Sequence, residues 1–194
     1  MRIAVVKYNA GNVESIRNAL ARLNVEPILT DDAEILKSAD KVIFPGVGEA
    51  STAMRFLREK NLDEAIKNLT QPVLGICLGM QLLCEFSEEN STECLGIFPY
   101  RVKKFVSADL KVPQIGWNTI SDLKSPLFAD VPEHSFVYFV HSFYVELGAE
   151  TTAVCEYGMN FSAAVRHENF YAVQFHAEKS SAVGERILEN FLRI

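Results

Sequence analysis

The stretch Gly75-Ile76-Cys77-Leu78-Gly79 carries the most chemistry in the chain. It places a nucleophile between two glycines, after an apolar run and before a helical stretch. That is the form of a nucleophile elbow, a sharp turn that leaves no room for side chains two residues either side. The thiolate is the reactive form of cysteine, and a free thiol ionises only near ~8.5, so the positive end of a following helix assists it. The competing reading is an inert buried cysteine in a glycine-rich junction. The position between strand and helix favours the nucleophile.

A thiol nucleophile needs a base, and the base needs a group to orient it. The histidines are His134, His141, His167 and His176. His134 and His167 fall in loop or turn sequence, and His141 lies inside an apolar strand run. His176 ends the run Val173-Gln174-Phe175-His176, and Glu178 follows two residues later. An imidazole and a carboxylate thus arrive together at the carboxyl end of a strand. Acyl transfer also needs amide donors for the oxyanion. The Leu78 amide is one candidate, and Pro45-Gly46-Val47-Gly48 can supply a second because glycines let a peptide unit approach and reorient.

The elements that must position these groups are legible in outline. Strands are expected at residues 2–8, 25–29, 41–44 and 72–76. They alternate with helices at about 12–23, 32–39, 50–69 (broken near Asn61) and 78–86, with Asn12 as the N-cap of the first. This alternation predicts an α/β fold, a parallel sheet with helices on both faces and ligands at the carboxyl ends of its strands. Both glycine turns fall there. After a polar loop at 87–95 come short strands at 100–106, 112–120, 136–145, 153–157, 163–166 and 172–175, then an amphipathic helix from Ser180 to Ile194. No linker divides the chain, so residues 1–194 read as one domain.

Composition excludes other classes. The 194 residues are 48% hydrophobic and carry 19 Lys+Arg against 25 Asp+Glu, a net charge of −6. That argues against disorder and against a nucleic-acid surface, which is ordinarily basic. The cysteines Cys77, Cys84, Cys94 and Cys155 have no zinc-ribbon spacing. No run is long enough for a membrane span. A cytoplasmic chain with reduced thiols is expected, with no metal and no partner nucleic acid or membrane.

Together, Gly75-Ile76-Cys77-Leu78-Gly79-Met80-Gln81 and Gln174-Phe175-His176-Ala177-Glu178-Lys179-Ser180 resemble the two signatures of class I (triad) glutamine amidotransferases. The resemblance covers essentially the whole chain. It implies a flavodoxin-like, mostly parallel sheet with added antiparallel strands in the second half. It also implies a Cys77–His176–Glu178 triad, an oxyanion strand at Gly46, Val47 and Gly48, glutamine contacts at Gln81, Ser142 and Phe143, and no cofactor. Pro113-Gln114-Ile115-Gly116-Trp117-Asn118, Tyr138-Phe139-Val140-His141-Ser142-Phe143-Tyr144 and Tyr8-Asn9-Ala10-Gly11-Asn12 are similar to segments of the glutaminase subunits of imidazole glycerol phosphate synthases. Met80 fits too, where anthranilate-type enzymes carry His. This implies a cyclase subunit with a (β/α)8 barrel as partner and recipient of ammonia. The expected interface residues are Lys179 and, more weakly, Asn12, Trp117 and Tyr138. Core packing is the competing reading for Trp117 and Tyr138.

Two positions depart from the family pattern. Ala177 stands where proline is usual, which removes stiffness but keeps the His–Glu spacing. Phe143 stands where tyrosine is frequent, a mild change if backbone groups hold the substrate there. The alternatives are a glutaminase serving anthranilate, aminodeoxychorismate or pyridoxal phosphate synthesis, a cysteine hydrolase of related fold, and a non-catalytic module with a decayed site.

Overall fold

In the computed structural model, which describes residues 1–9, 12–106 and 110–194, the apolar runs of the first half pair side by side. β1 (Ile3–Val6), β2 (Ile28–Thr30), β3 (Lys41–Phe44) and β4 (Val73–Ile76) are parallel, in the order β2-β1-β3-β4. Every residue of β1, β3 and β4 is buried, as expected of parallel strands covered on both faces. Alternate side chains feed two cores. Val5, Ile43 and Leu74 point toward α1 (Val13–Arg22), and Val6, Val42, Phe44 and Val73 toward α2 (Ala33–Ser38), α3 (Ala50–Glu59), α4 (Leu62–Lys67) and α5 (Leu78–Leu83).

The expected break in the third helical stretch is real. Asn61 adopts the left-handed conformation (φ 54) between α3 and α4, which asparagine tolerates better than most residues. Asn12 precedes α1, but its side chain caps no backbone amide. Its Oδ1 accepts from the Ser15 hydroxyl at 2.9 Å instead. Ala10 and Gly11 of the Tyr8–Asn12 segment lie outside the described residues.

The helix expected over 78–86 stops at Leu83. Cys84 turns extended (φ −72, ψ 177) and begins β5 (Cys84–Ser87). The backbone there is taken by β6 (Thr92–Glu93) and β7 (Phe98–Lys104), so tertiary pairing overrides the helical spacing. The loop expected at 87–95 therefore contains β6 and a single 3₁₀ turn, Glu89–Ser91. The run expected as one strand over 136–145 splits at Ser142. β9 (Ser135–His141) forms a two-stranded ribbon with β8 (Gln114–Ile120), and β10 (Phe143–Val145) joins β7 in a four-stranded sheet.

The last strands complete the main sheet. β11 (Thr151–Glu156), β12 (Asn160–His167) and β13 (Phe170–Val173) give it seven strands, with β13 parallel to β4. β13 ends at Val173, so His176 lies three residues past it rather than at its tip. A 3₁₀ turn, Ala177–Lys179, then leads into α6 (Ser181–Arg193), whose Ile187, Leu188 and Phe191 share the core of α1. No helix among the described residues is long and apolar enough to cross a membrane.

Candidate active site

β4 and β13 deliver the two halves of the site. Cys77 follows β4 in a strained conformation, φ 54 and ψ −110, in the positive-φ region that non-glycine residues seldom occupy. Its amide donates to the Val173 carbonyl at 2.8 Å, and its carbonyl accepts from the Gln81 amide at 3.2 Å, opening α5. The elbow requires its second glycine. A Cβ on Gly79 would lie 1.9 Å from the Phe44 carbonyl oxygen, so any side chain there would push α5 off the end of β3.

The segment after β13 brings the base. The His176 amide donates to the Tyr138 carbonyl at 2.9 Å. The Ser180 hydroxyl donates to the His176 carbonyl at 2.7 Å and accepts from the Tyr138 amide at 2.9 Å. These bonds pin the 176–180 turn to β9 without needing proline at Ala177. His176 Nδ1 lies 2.8 Å from Glu178 Oε1 in a buried pair. The carboxylate accepts from Nδ1–H, which turns Nε2 toward the thiol to take and hold its proton. Glu178 Oε2 is buried with no hydrogen-bond partner among the described residues, so the carboxylate bears chiefly on the imidazole. Burial alone would lower the His176 pKa. Its interactions with Cys77 and Glu178 outweigh that and push it up to about 10.

A cavity of about 310 Å3 opens over Cys77 and His176. Val47, Gly48, Leu78, Gln81, Ser142 and Phe143 all line it, as does Lys179 at an exposed position. Glu178 stands behind His176, outside the cavity lining. The oxyanion donors are not both aimed into the cavity. The Leu78 amide donates to the Gly46 carbonyl at 3.3 Å, so the Gly46–Val47 peptide turns its oxygen toward the elbow and its N–H away. Tyr8 props this strand, donating its hydroxyl to the Pro45 carbonyl at 2.7 Å.

Three residues that carry no assigned role in the sequence reading belong to the site. Glu89, read as part of a polar loop, lines the cavity half-buried, and its Oε2 accepts from the Ala50 amide at 2.8 Å. Burial raises its pKa, the Ala50 bond opposes that, and Glu49 raises it further. Glu49 itself caps α3 through the Ser51 and Thr52 amides, which pull its carboxyl down to about 2 against the effect of burial. His141 is a buried wall residue, as its strand position suggested. Its Nδ1 meets the Phe143 carbonyl at 2.6 Å, and burial holds its pKa down to about 4. Gln174 lies beneath the nucleophile. An acidic residue a few positions beyond the elbow helix was the sole sequence signal for Glu89.

Of the expected interface residues, Trp117 and Tyr138 pair across the β8–β9 ribbon with ring centroids 5.8 Å apart. The outer face of this ribbon is apolar. Ile115, Trp117 and Phe136 are 64%, 52% and 59% exposed, so Trp117 is not a core residue. Asn12, Trp117 and Tyr138 do not line the cavity.

The glutamine amidotransferase class-I family model matches residues 4–194. The chain is 58% identical over 196 residues to imidazole glycerol phosphate synthase subunit HisH of Bacteroides fragilis (strain YCH46), covering 100% of both chains. It is 59% identical over 194 residues to the subunit of that name from Bacteroides thetaiotaomicron, covering 99% of each. Among solved structures, a glutamine amidotransferase superposes with a TM-score of 0.75 at 20% identity, over 98% of this chain and 97% of that one. With its fold and full-length relatives in agreement, the chain belongs to the class-I glutamine amidotransferase family, in the branch of the imidazole glycerol phosphate synthase subunit HisH.

Proposed function

We propose that this chain is the glutaminase subunit of an imidazole glycerol phosphate synthase, with Cys77, His176 and Glu178 as its triad. The observation that carries the chemistry is the buried His176–Glu178 pair, 2.8 Å apart, facing the strained Cys77 turn under the cavity. His176 takes the Cys77 thiol proton, and the sulfur bonds to the side-chain carbonyl carbon of glutamine. Collapse of the tetrahedral adduct breaks the C–N bond, and His176 returns the proton to the departing ammonia. Water then adds to the thioester with His176 as base, and glutamate leaves with the thiol restored. Glu178 orients the imidazole and balances its charge.

The glutamine backbone fits the rest of the cavity. Its α-ammonium suits the Glu89 carboxylate, and its α-carboxylate suits backbone N–H groups of the Ser142–Phe143 wall. This explains why Phe143 can replace tyrosine, since the wall offers main chain there. Oxyanion stabilisation requires rotation of the Gly46–Val47 peptide. The turn frees the Leu78 amide and swings the Val47 N–H toward the reacting carbonyl. Gly48, at φ 102, gives the strand the freedom to turn.

The ammonia passes to the cyclase, a (β/α)8 barrel that docks on the exposed ribbon and Lys179 beside the cavity mouth. Several features support this: the apolar outer face of Ile115, Trp117 and Phe136, its continuity with the 138–143 cavity wall, and the synthase-subunit name of the relatives. The test is acceptor choice. Mixed with the cyclase and its carboxamide ribonucleotide substrate, the chain should make imidazole glycerol phosphate from glutamine. Turnover only with an anthranilate-type acceptor subunit would refute the assignment.

A further inference from the structure

Gln174 is fully buried, where a carboxamide is costly unless each end finds a partner. Its backbone amide is spent on the sheet, donating to Ala163 at 2.8 Å. Its side chain is not. Gln174 Oε1 accepts from Gln81 Nε2 at 3.0 Å, and Gln174 Nε2 reaches the Cys77 sulfur at 3.7 Å.

The direction of this chain of bonds is fixed at its far end. The Phe143 carbonyl can only accept, and it faces Gln81 Nε2 at 3.2 Å. Gln81 must therefore present its NH2 group there. The second hydrogen of that group meets Gln174, which must answer with its oxygen. The Gln174 NH2 is then left aimed at sulfur. Reversing either carboxamide would set donor against donor or acceptor against acceptor in a buried place, which the pairing forbids. His141 reinforces the anchor, since its Nδ1 also donates to the Phe143 carbonyl.

We infer that the Gln174 carboxamide, oriented by Phe143 and Gln81, is a catalytic donor to the Cys77 sulfur that stabilises the attacking thiolate. The inference rests on the glutaminase reading above. A hydrogen bond to a charged acceptor is about twice as strong as one to a neutral acceptor. The bond is thus strongest on the thiolate before attack, weakens when the sulfur becomes a neutral thioester, and strengthens again as the thiolate leaves during deacylation. Gln81 lines the cavity and holds Gln174 at once, so contact with the substrate is tied to the state of the sulfur.

Gln174→Met, assayed with the cyclase partner, removes the donor and keeps the side-chain length. The expected result is a kcat lower by about 10- to 100-fold, the range of a hydrogen bond to a charged group, with the KM for glutamine changed less than about threefold. Alkylation of Cys77 by iodoacetamide at pH 7 should slow, with its pH profile displaced to alkaline values. A folded Gln174→Met protein alkylated at the wild-type rate would overturn the inference. If the variant does not fold, the wild-type protein decides. The Gln174 side-chain amide nitrogen resonance should titrate together with Cys77 alkylation, and a flat resonance would overturn the idea. A wild-type complex with no glutaminase turnover strikes instead at the function itself, and the alkylation and resonance measurements still judge Gln174.

Discussion

The carbonyl of Gly46 accepts the amide of Leu78 across 3.3 Å, so the donor beside the nucleophile is already occupied. One peptide rotation separates this arrangement from a working oxyanion hole. The isolated chain should accordingly hydrolyse glutamine slowly, and adding the cyclase with its nucleotide should raise the rate by about 100-fold or more, the worth of one oxyanion donor. Gly46→Ala should hold the rate low even in the complex. A Cβ there would sit 2.4 Å from the Tyr8 hydroxyl and 2.8 Å from Leu78 Cβ, on the strand that must turn. Steady-state glutaminase assays of the chain alone, the complex and the variant complex check this.

Two histidines should mark opposite limbs of the stability–pH curve. The His176 pKa is raised from 6.5 to about 10, so the folded state holds its proton more tightly. Its contribution is complete below pH 6.5 and is lost as pH rises through about 10. The His141 pKa is lowered from 6.5 to about 4, so the unfolded state takes up its proton first. Stability therefore falls as pH drops from 6.5 toward 4. Urea midpoints from pH 4 to 10 should show both limbs. Glu178→Gln should flatten the alkaline limb, and His141→Asn the acid one.

Among the described residues Glu89 is the one carboxylate on the cavity wall, which is why the proposed function pairs it with the substrate ammonium. Glu89→Gln should raise the KM for glutamine about 10- to 100-fold and change kcat little, because the lost contact is the same in ground and transition states. An unchanged KM in the complex would remove Glu89 from the substrate site.

The ribbon face supplies a fourth prediction. Trp117→Ala should weaken the complex with the cyclase by about 2 kcal/mol or more, as a central aromatic anchor does. It should change the stability of the isolated chain by only about 0.5 kcal/mol, as an exposed side chain does. Titration calorimetry and thermal unfolding separate the two effects.

The sequence made the site more legible than the fold around it. Cys77 announces itself through flanking glycines, and the elbow needs them for contacts as local as that between Gly79 and Phe44. His176 and Glu178 stand two residues apart, so their pairing is nearly local. The first parallel strands are continuous apolar runs, and those are easily recognised. What escaped was set by pairing at a distance. Cys84–Ser87 has helical spacing but is claimed by β7, and the break at Ser142 appears only because β9 and β10 serve different sheets. The oxyanion strand was legible in part, since the glycine turn at Val47 marks a peptide that could need reorienting before it donates. The same Pro45-Gly46-Val47-Gly48 sequence permits either peptide orientation, and nothing in the residue types says which one the fold adopts.

The most direct test is trapping of the acyl-enzyme. The chain, mixed with its cyclase and the cyclase's nucleotide, is given labelled glutamine and quenched in acid before intact-mass and peptide mass spectrometry. A glutamyl thioester on Cys77, absent from Cys77→Ala and from Cys84, Cys94 and Cys155, is the expected result. Glutamate release by the Cys77→Ala complex at the wild-type rate would contradict the assignment of Cys77 as the nucleophile.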